Sequence, residues 1–284
     1  MTRTLLLGAL ALSLAACDAA GPDPALADAA LDDAAVTLAT AIAVDAGGIL
    51  EDAAAAAALA DTDAARLADP HRRGCRAERT FDEAAVAWSL VADCERGDPD
   101  ARFYAAFERT ATVQFFDAAG QPQAEARTAD ALRYDVLSAS SLLRTPRHVH
   151  ALTSLGVALD VTDLGADLVT VNGAVQRAAT DTLRGARGER TVAYALGATL
   201  ADVRGPRGTA RRWRRAVEGT ISGTFQATIT RTPAGGETET VEIDEPFEIT
   251  FPLDGSGDRV VALVLGGRRY RADVDTGEVT GMDA

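Results

Sequence analysis

Two hydrophobic periods divide the chain. Through residues 25–44 the apolar positions Leu31, Ala35, Leu38 and Ile42 recur every three or four residues, the spacing of one helix face. Asp28, Asp32 and Asp33 lie early in that stretch, where the positive end of the helix dipole favours acids. Gly47-Gly48 predicts the stop, and residues 49–59 predict a second, alanine-rich helix. Beyond Pro70 the period falls to two. Phe103, Ala105, Phe107, Ala111, Val113 and Phe115 occupy odd positions with Glu108, Thr110, Thr112 and Gln114 between them, the signature of a strand with one buried and one wet face.

The same alternation returns along the rest of the chain. Short runs at 132–137 and 149–152 precede Leu155, Val157, Leu159 and Val161. Asn172-Gly173, set among Val169, Val171 and Val175, favours a tight hairpin turn, with a bulge inside one strand as the alternative. Tyr194, Leu196 and Leu200 mark a strand ending at Gly205-Pro206-Arg207-Gly208. The clearest strand carries Trp213, Val217, Ile221, Phe225 and Ile229 against Thr220, Ser222, Thr224, Gln226 and Thr228. Val241, Ile243, Phe247, Ile249 and Phe251 continue the pattern, with Pro246 pointing to an edge or a bulge. Residues 260–274 around Gly266-Gly267 read as a terminal hairpin. Nine to eleven strands without intervening helices predict a mainly β fold: an antiparallel sandwich, half-barrel or clam-like curled sheet, preceded by a short N-terminal helical segment.

The segment ahead of the helices sets the expected location. Arg3 precedes an apolar run at 5–14 that is too short to span a bilayer, and the run ends in Leu14-Ala15-Ala16-Cys17. This resembles the bacterial lipoprotein signal, in which the cysteine is lipidated and becomes the first mature residue. The resemblance implies a signal peptide at 1–16 and a lipidated tether at 17–24; the two hydrophobic periods place a helical segment at 25–70 and a β domain at 71–284. The resemblance also implies lipidation of Cys17 and a cell-envelope location, with the membrane as partner through multiple acyl chains. Asp18 resembles an inner-membrane retention signal, and the choice of membrane stays open.

Composition narrows the chemistry. Cleavage leaves 268 residues (284 minus 16) and turns the net charge from −14 to −15 as Arg3 departs, which argues against nucleic acid as a partner. There is no lysine, so all 28 basic residues are arginine and every lysine-dependent mechanism is excluded. In an exported chain the remaining pair, Cys75 and Cys94, predicts a disulfide. A hairpin turning between Ala84 and Ala85 pairs positions whose numbers sum to 169, which sets these two cysteines opposite each other.

No zinc-protease, nucleophile-elbow or dinucleotide motif occurs. His148 and His150 should face the same way on a strand, yet no third ligand can be named, so neither metal nor cofactor is expected. The turn composition around Asp275 likewise carries no calcium site. Arg211, Arg212, Trp213, Arg214 and Arg215 interrupt the acidic background and form the candidate ligand site, an anion trap with Trp213 stacking above it, or else surface partners for the 42 acids. The functional expectation is a lipid-anchored envelope protein with a structural or interaction role toward another envelope protein. The alternatives are a carrier of a hydrophobic ligand inside a curled sheet and, behind it, an envelope hydrolase using dispersed carboxylates.

Overall fold

The computed structural model describes residues 24–43, 47–59, 75–186, 188–207, 213, 218–251 and 260–281. Two helices, α1 (Pro24–Ile42) and α2 (Ile49–Ala58), precede thirteen strands. These are β1 (Cys75–Asp82), β2 (Ala87–Gly97), β3 (Tyr104–Phe116), β4 (Pro122–Gln123), β5 (Ala131–Arg144), β6 (His148–Thr162), β7 (Leu168–Gly185), β8 (Gly188–Pro206), β9 (Glu218–Pro233), β10 (Glu239–Phe251), β11 (Val260–Leu265), β12 (Arg268–Asp273) and β13 (Val279–Gly281). They form one open antiparallel sheet in which each strand lies beside its neighbours in sequence, save that β4 pairs only with β3. Among the described residues no helix is long and apolar enough to cross a membrane.

A flat sheet of this width, at about 4.8 Å per strand, could not be covered by two helices. Yet the inward residues from Phe115 in β3 to Leu263 in β11 join the helices in a single buried cluster. The sheet therefore curls around α1 and α2, as the clam-like reading of the alternation requires. α1 lies against β9 to β13 and α2 against β6 and β7. Their alanines explain the close fit, since Ala34, Ala35, Ala53, Ala54, Ala56 and Ala57 are fully buried and let the helix backbones approach the sheet.

The first hairpin has the predicted register. Cys75 faces Cys94, every pair from there to Asp82 and Ala87 sums to 169, and the two cysteines are bonded. Asp82 closes the turn by accepting the amides of Ala84 and Ala85. The terminal hairpin also forms, with Leu265 opposite Arg268 and Gly266-Gly267 at positive φ between them, as a two-residue turn requires. Pro246 sits where β10 stops pairing with β11, so its missing N–H costs no ladder bond there.

Four features differ from the sequence pattern, and bulges account for two of them. A register shift at Thr153 joins the runs at 149–152 and 155–161 into the single strand β6. Inward side chains are even-numbered before it (Leu152) and odd-numbered after it (Leu155, Val157), so one strand reads as two. Asn172-Gly173 makes no hairpin: it lies inside β7, at a register shift against β8, where Asn172 Oδ1 accepts the Asp202 amide. Gly173, at φ 146°, passes so close to the Ala158 carbonyl that a Cβ would sit 2.1 Å from its oxygen. Finally, the strand expected from Trp213 begins at Glu218, and Phe103, counted among the inward positions, precedes β3 and is 67% exposed.

Candidate functional site

Strand alternation sorts the polar side chains onto two faces, and the inner one carries a row of arginines that grip the helices. Arg109 replaces an apolar residue in the odd series of β3 and donates to Asp52 of α2 at 2.5 Å. Arg177 of β7, 5% exposed, donates to the Tyr194 hydroxyl at 3.2 Å and to the Gly47 carbonyl ahead of α2 at 2.6 Å. Arg190 of β8 and Arg231 of β9 converge on Asp33 of α1, with Arg231 also reaching the Ala29 carbonyl at 2.7 Å. Arg268 of β12 pairs with Asp28, and the Tyr270 hydroxyl donates to Asp32. α1 begins at Pro24, so these acids lie past its first turn and bind the sheet instead of the helix end, contrary to the role expected from sequence.

The Asp52–Arg109 pair is the most enclosed of these. Asp52 Oδ2 and Arg109 Nε are buried without a hydrogen-bond partner, so the pair relies on one short contact and on the Tyr134 ring, whose centroid lies 5.5 Å from the guanidinium. Burial pushes the Tyr134 hydroxyl up to about 12, against the opposing pull of Arg109. Arg109 itself is raised: burial alone would lower it, and the adjacent Asp52 carboxylate outweighs that. Arg109 and Tyr134 are thus both pushed further from titration near neutral pH, and the Asp52–Arg109 contact acts as a latch.

A second polar cluster stands on the inner face beside exposed Leu143 and Leu183. The bulge at Thr153 puts the even positions of β6 inward, so His148 and His150 share that face, and register sets Asp181 of β7 directly opposite His150. His148 Nε2 lies 3.1 Å and His150 Nδ1 2.8 Å from the same oxygen, Asp181 Oδ1. Burial alone would raise the Asp181 carboxyl, but the hydrogen bonds and charge of His150, and then of His148, hold it below the usual range.

The outer face differs. Across the middle of β6 to β9 its residues are Val149, Ala151, Ser154, Gly156 and Ala158; Ala174, Gln176, Ala178, Thr180 and Thr182; Thr191, Ala193, Ala195, Gly197, Thr199 and Ala201; and Thr220, Ser222, Thr224, Gln226, Thr228 and Thr230. None is charged, in a chain with 70 charged residues (28 plus 42). Two hollows lie on this side, one of about 510 Å³ over Ala178, Ala193, Ala195, Gln226, Thr228 and Glu242, the other beside Gly156 and Ala158. Both are open and shallow rather than enclosed.

Of the residues singled out by sequence, Cys75 and Cys94 are joined. Cys17, Arg211, Arg212, Arg214 and Arg215 lie outside the described residues. Trp213 is 0% exposed and lies off the strands, its ring over Gly205, where a Cβ would come within 2.6 Å of it. A ring so enclosed offers no face on which a ligand can stack. At the turn, Asp273 accepts the amides of Asp275 and Thr276, and Asp275 itself is buried. Sequence reasoning missed the gripping arginines and Asp181. The arginines had a signal, because Arg109, Arg177 and Arg231 fall at inward parity among apolar residues. No family model, no curated protein and no solved structure matches the chain.

Proposed function

We propose that this chain is a lipid-anchored envelope protein with a non-enzymatic structural or interaction role. The observation that carries the reading is the occupied interior: the trough of the curled sheet, where a carrier would place its ligand, holds α1 and α2. The helices are fixed there by the arginine row, and the hollows open outward instead. The signal-like segment ending at Cys17 leads through a short tether straight into α1, so the anchor would pull on the element that fills the trough.

The test is expression of the full chain in a bacterial host with a labelled fatty acid, followed by native mass spectrometry of the detergent-extracted protein. Label on the chain that is lost in Cys17→Ser, with no lipid-sized mass released on unfolding, supports the reading. An unlabelled chain overturns the anchor, and a stoichiometric lipid released on unfolding overturns the interaction role in favour of a carrier.

A further inference from the structure

We infer that the end of the sheet formed by the β2–β3, β5–β6 and β7–β8 turns is the face that lies on the bilayer, and that it selects an anionic lipid surface. The inference rests on the anchored reading above and adds to it which part of the β domain meets the membrane. Three exposed apolar side chains gather there: Phe103, 67% exposed, ahead of β3, Leu143 near the end of β5 and Leu183 near the end of β7. They are half of the large apolar side chains that stand exposed among the described residues. The turns that carry them form one continuous edge. Arg144 donates to the Pro99 carbonyl at 2.6 Å, and the Arg184 amide donates to the Arg147 carbonyl at 2.8 Å.

Charge sets this end apart. Taken with two residues on either side, the three turns hold six arginines and three acids, in a chain of net charge −14. The turns at the opposite end, β1–β2, β3–β5 and β6–β7, hold seven acids and one arginine on the same measure. Arg102, Arg147 and Arg184 are exposed. The patch stops at β8, since the next turn at this end, β9–β10, brings Glu237 and Glu239 and no arginine. Apolar tips ringed by arginines match the layers of a bilayer surface, where apolar groups enter the acyl boundary and guanidinium groups meet lipid phosphates. The acidic end would be repelled by the same surface.

α1 directs the anchor to the basic end. Its last turns pack where Gly277 follows β12, a Cβ there coming within 2.6 Å of Thr40 Cα, whereas Asp28 reaches Arg268 at the start of β12. β12 runs the same way as β3, β6 and β8, an even number of antiparallel pairings away, so α1 begins toward the end at which those strands begin. Asp33 is held there by Arg190, which lies opposite Leu183. Seven residue steps lead from Cys17 to Pro24 and span about 25 Å at most. β6, with 15 residues, is about 50 Å long. An anchor at Cys17 therefore holds the basic end, and not the acidic one, against the membrane.

The experiment is hydrogen–deuterium exchange of the full chain, expressed in a bacterial host, in buffer and on phosphatidylglycerol or phosphatidylcholine vesicles, with the intact mass recording acylation. On phosphatidylglycerol, exchange at 98–103, 145–147 and 184–186 is expected to slow roughly 10-fold or more, with a smaller effect on phosphatidylcholine and none at 83–86 or 117–130. Phe103→Ser/Arg147→Gln/Arg184→Gln, which alters only exposed side chains, should remove that slowing and leave the acylation unchanged. No slowing at the three turns, or slowing at the opposite ones, overturns the membrane face whether or not the chain is acylated. A mass without acyl groups overturns the anchor by itself, and slowing at the three turns in such a chain leaves the membrane face standing. Slowing that grows with protein concentration in buffer alone assigns the edge to a second copy of the chain and overturns the inference.

Discussion

Within β9, Ile221, Phe225 and Ile229 are buried, while Thr224, Gln226 and Thr228, one residue away, face solvent. The same contrast runs through β6, β7 and β8, but polarity does not simply follow exposure. The inner face, which is mostly dry, holds the cations Arg109, Arg177, Arg190 and Arg231, whereas the solvated middle of the outer face has no charge. Charges sit inside where a helix acid or carbonyl meets them, and an enclosed pair of that sort fixes position more than it adds stability. Alanine-rich helices need such fixing, since small side chains fit a sheet in many registers. The lesson is that the arginines specify where α1 and α2 lie, and apolar burial holds them there.

The contrast can be broken most severely at its most enclosed point. Arg109→Met leaves Asp52 buried without a counter-charge and is expected to cost about 3–5 kcal/mol in denaturant unfolding. Arg109→Met/Asp52→Leu should recover most of that loss, and a double variant no better than the single would show that the pair does more than position α2. Comparing the two faces of one strand sharpens the point. Phe225→Ala removes a ring stacked on Tyr194 and should cost about 3–5 kcal/mol, whereas Thr224→Ala should stay within about 0.5 kcal/mol. Equal losses from the two would mean that the outer face is covered in the folded protein.

Gly205→Ala should be intermediate, about 1–3 kcal/mol, because the added methyl meets the buried Trp213 ring; a blue-shifted tryptophan emission retained in the variant would show that the ring has room to move. A pH-dependent effect is expected at Asp181, whose folded pKa lies below its unfolded value of about 3.9. Its contribution is present above that value and is lost as the pH falls through the folded one. Asp181→Asn should therefore lower stability near neutral pH, with the difference from the unaltered chain fading in acid unfolding. A constant difference down to the lowest pH would remove the carboxylate charge as its cause.

Much of this was legible beforehand because it depends on local spacing. The α1 stripe needs only a 3.6 period, and the Cys75–Cys94 register needs only the place of one turn. What was hidden depends on events that leave no residue signature. The bulge at Thr153 flips the parity of β6, so the inward positions Leu152 and Leu155 seemed to belong to separate strands. At Asn172-Gly173 the residues suit a turn as well as a bulge, and only the partner strand decides. The histidine–carboxylate cluster was half visible: His148 and His150 share a face by arithmetic, but Asp181 joins them through a pairing that is set by the whole length of two strands.

The docking of α1 has a consequence for biogenesis. Almost every strand can pair as soon as its successor emerges, because the meander asks only for neighbours in sequence. The helix is the exception. Made first, it finds its partners last: Asp28 meets Arg268 across 240 residues, and Asp33 meets Arg231 across 198. Until β9 to β12 have been synthesised, the apolar side of α1 and the inner face of the growing sheet have no complete shelter, and such surfaces invite aggregation. The molecule closes only when its two ends meet, so any truncation of the last strands should release the first helix as well.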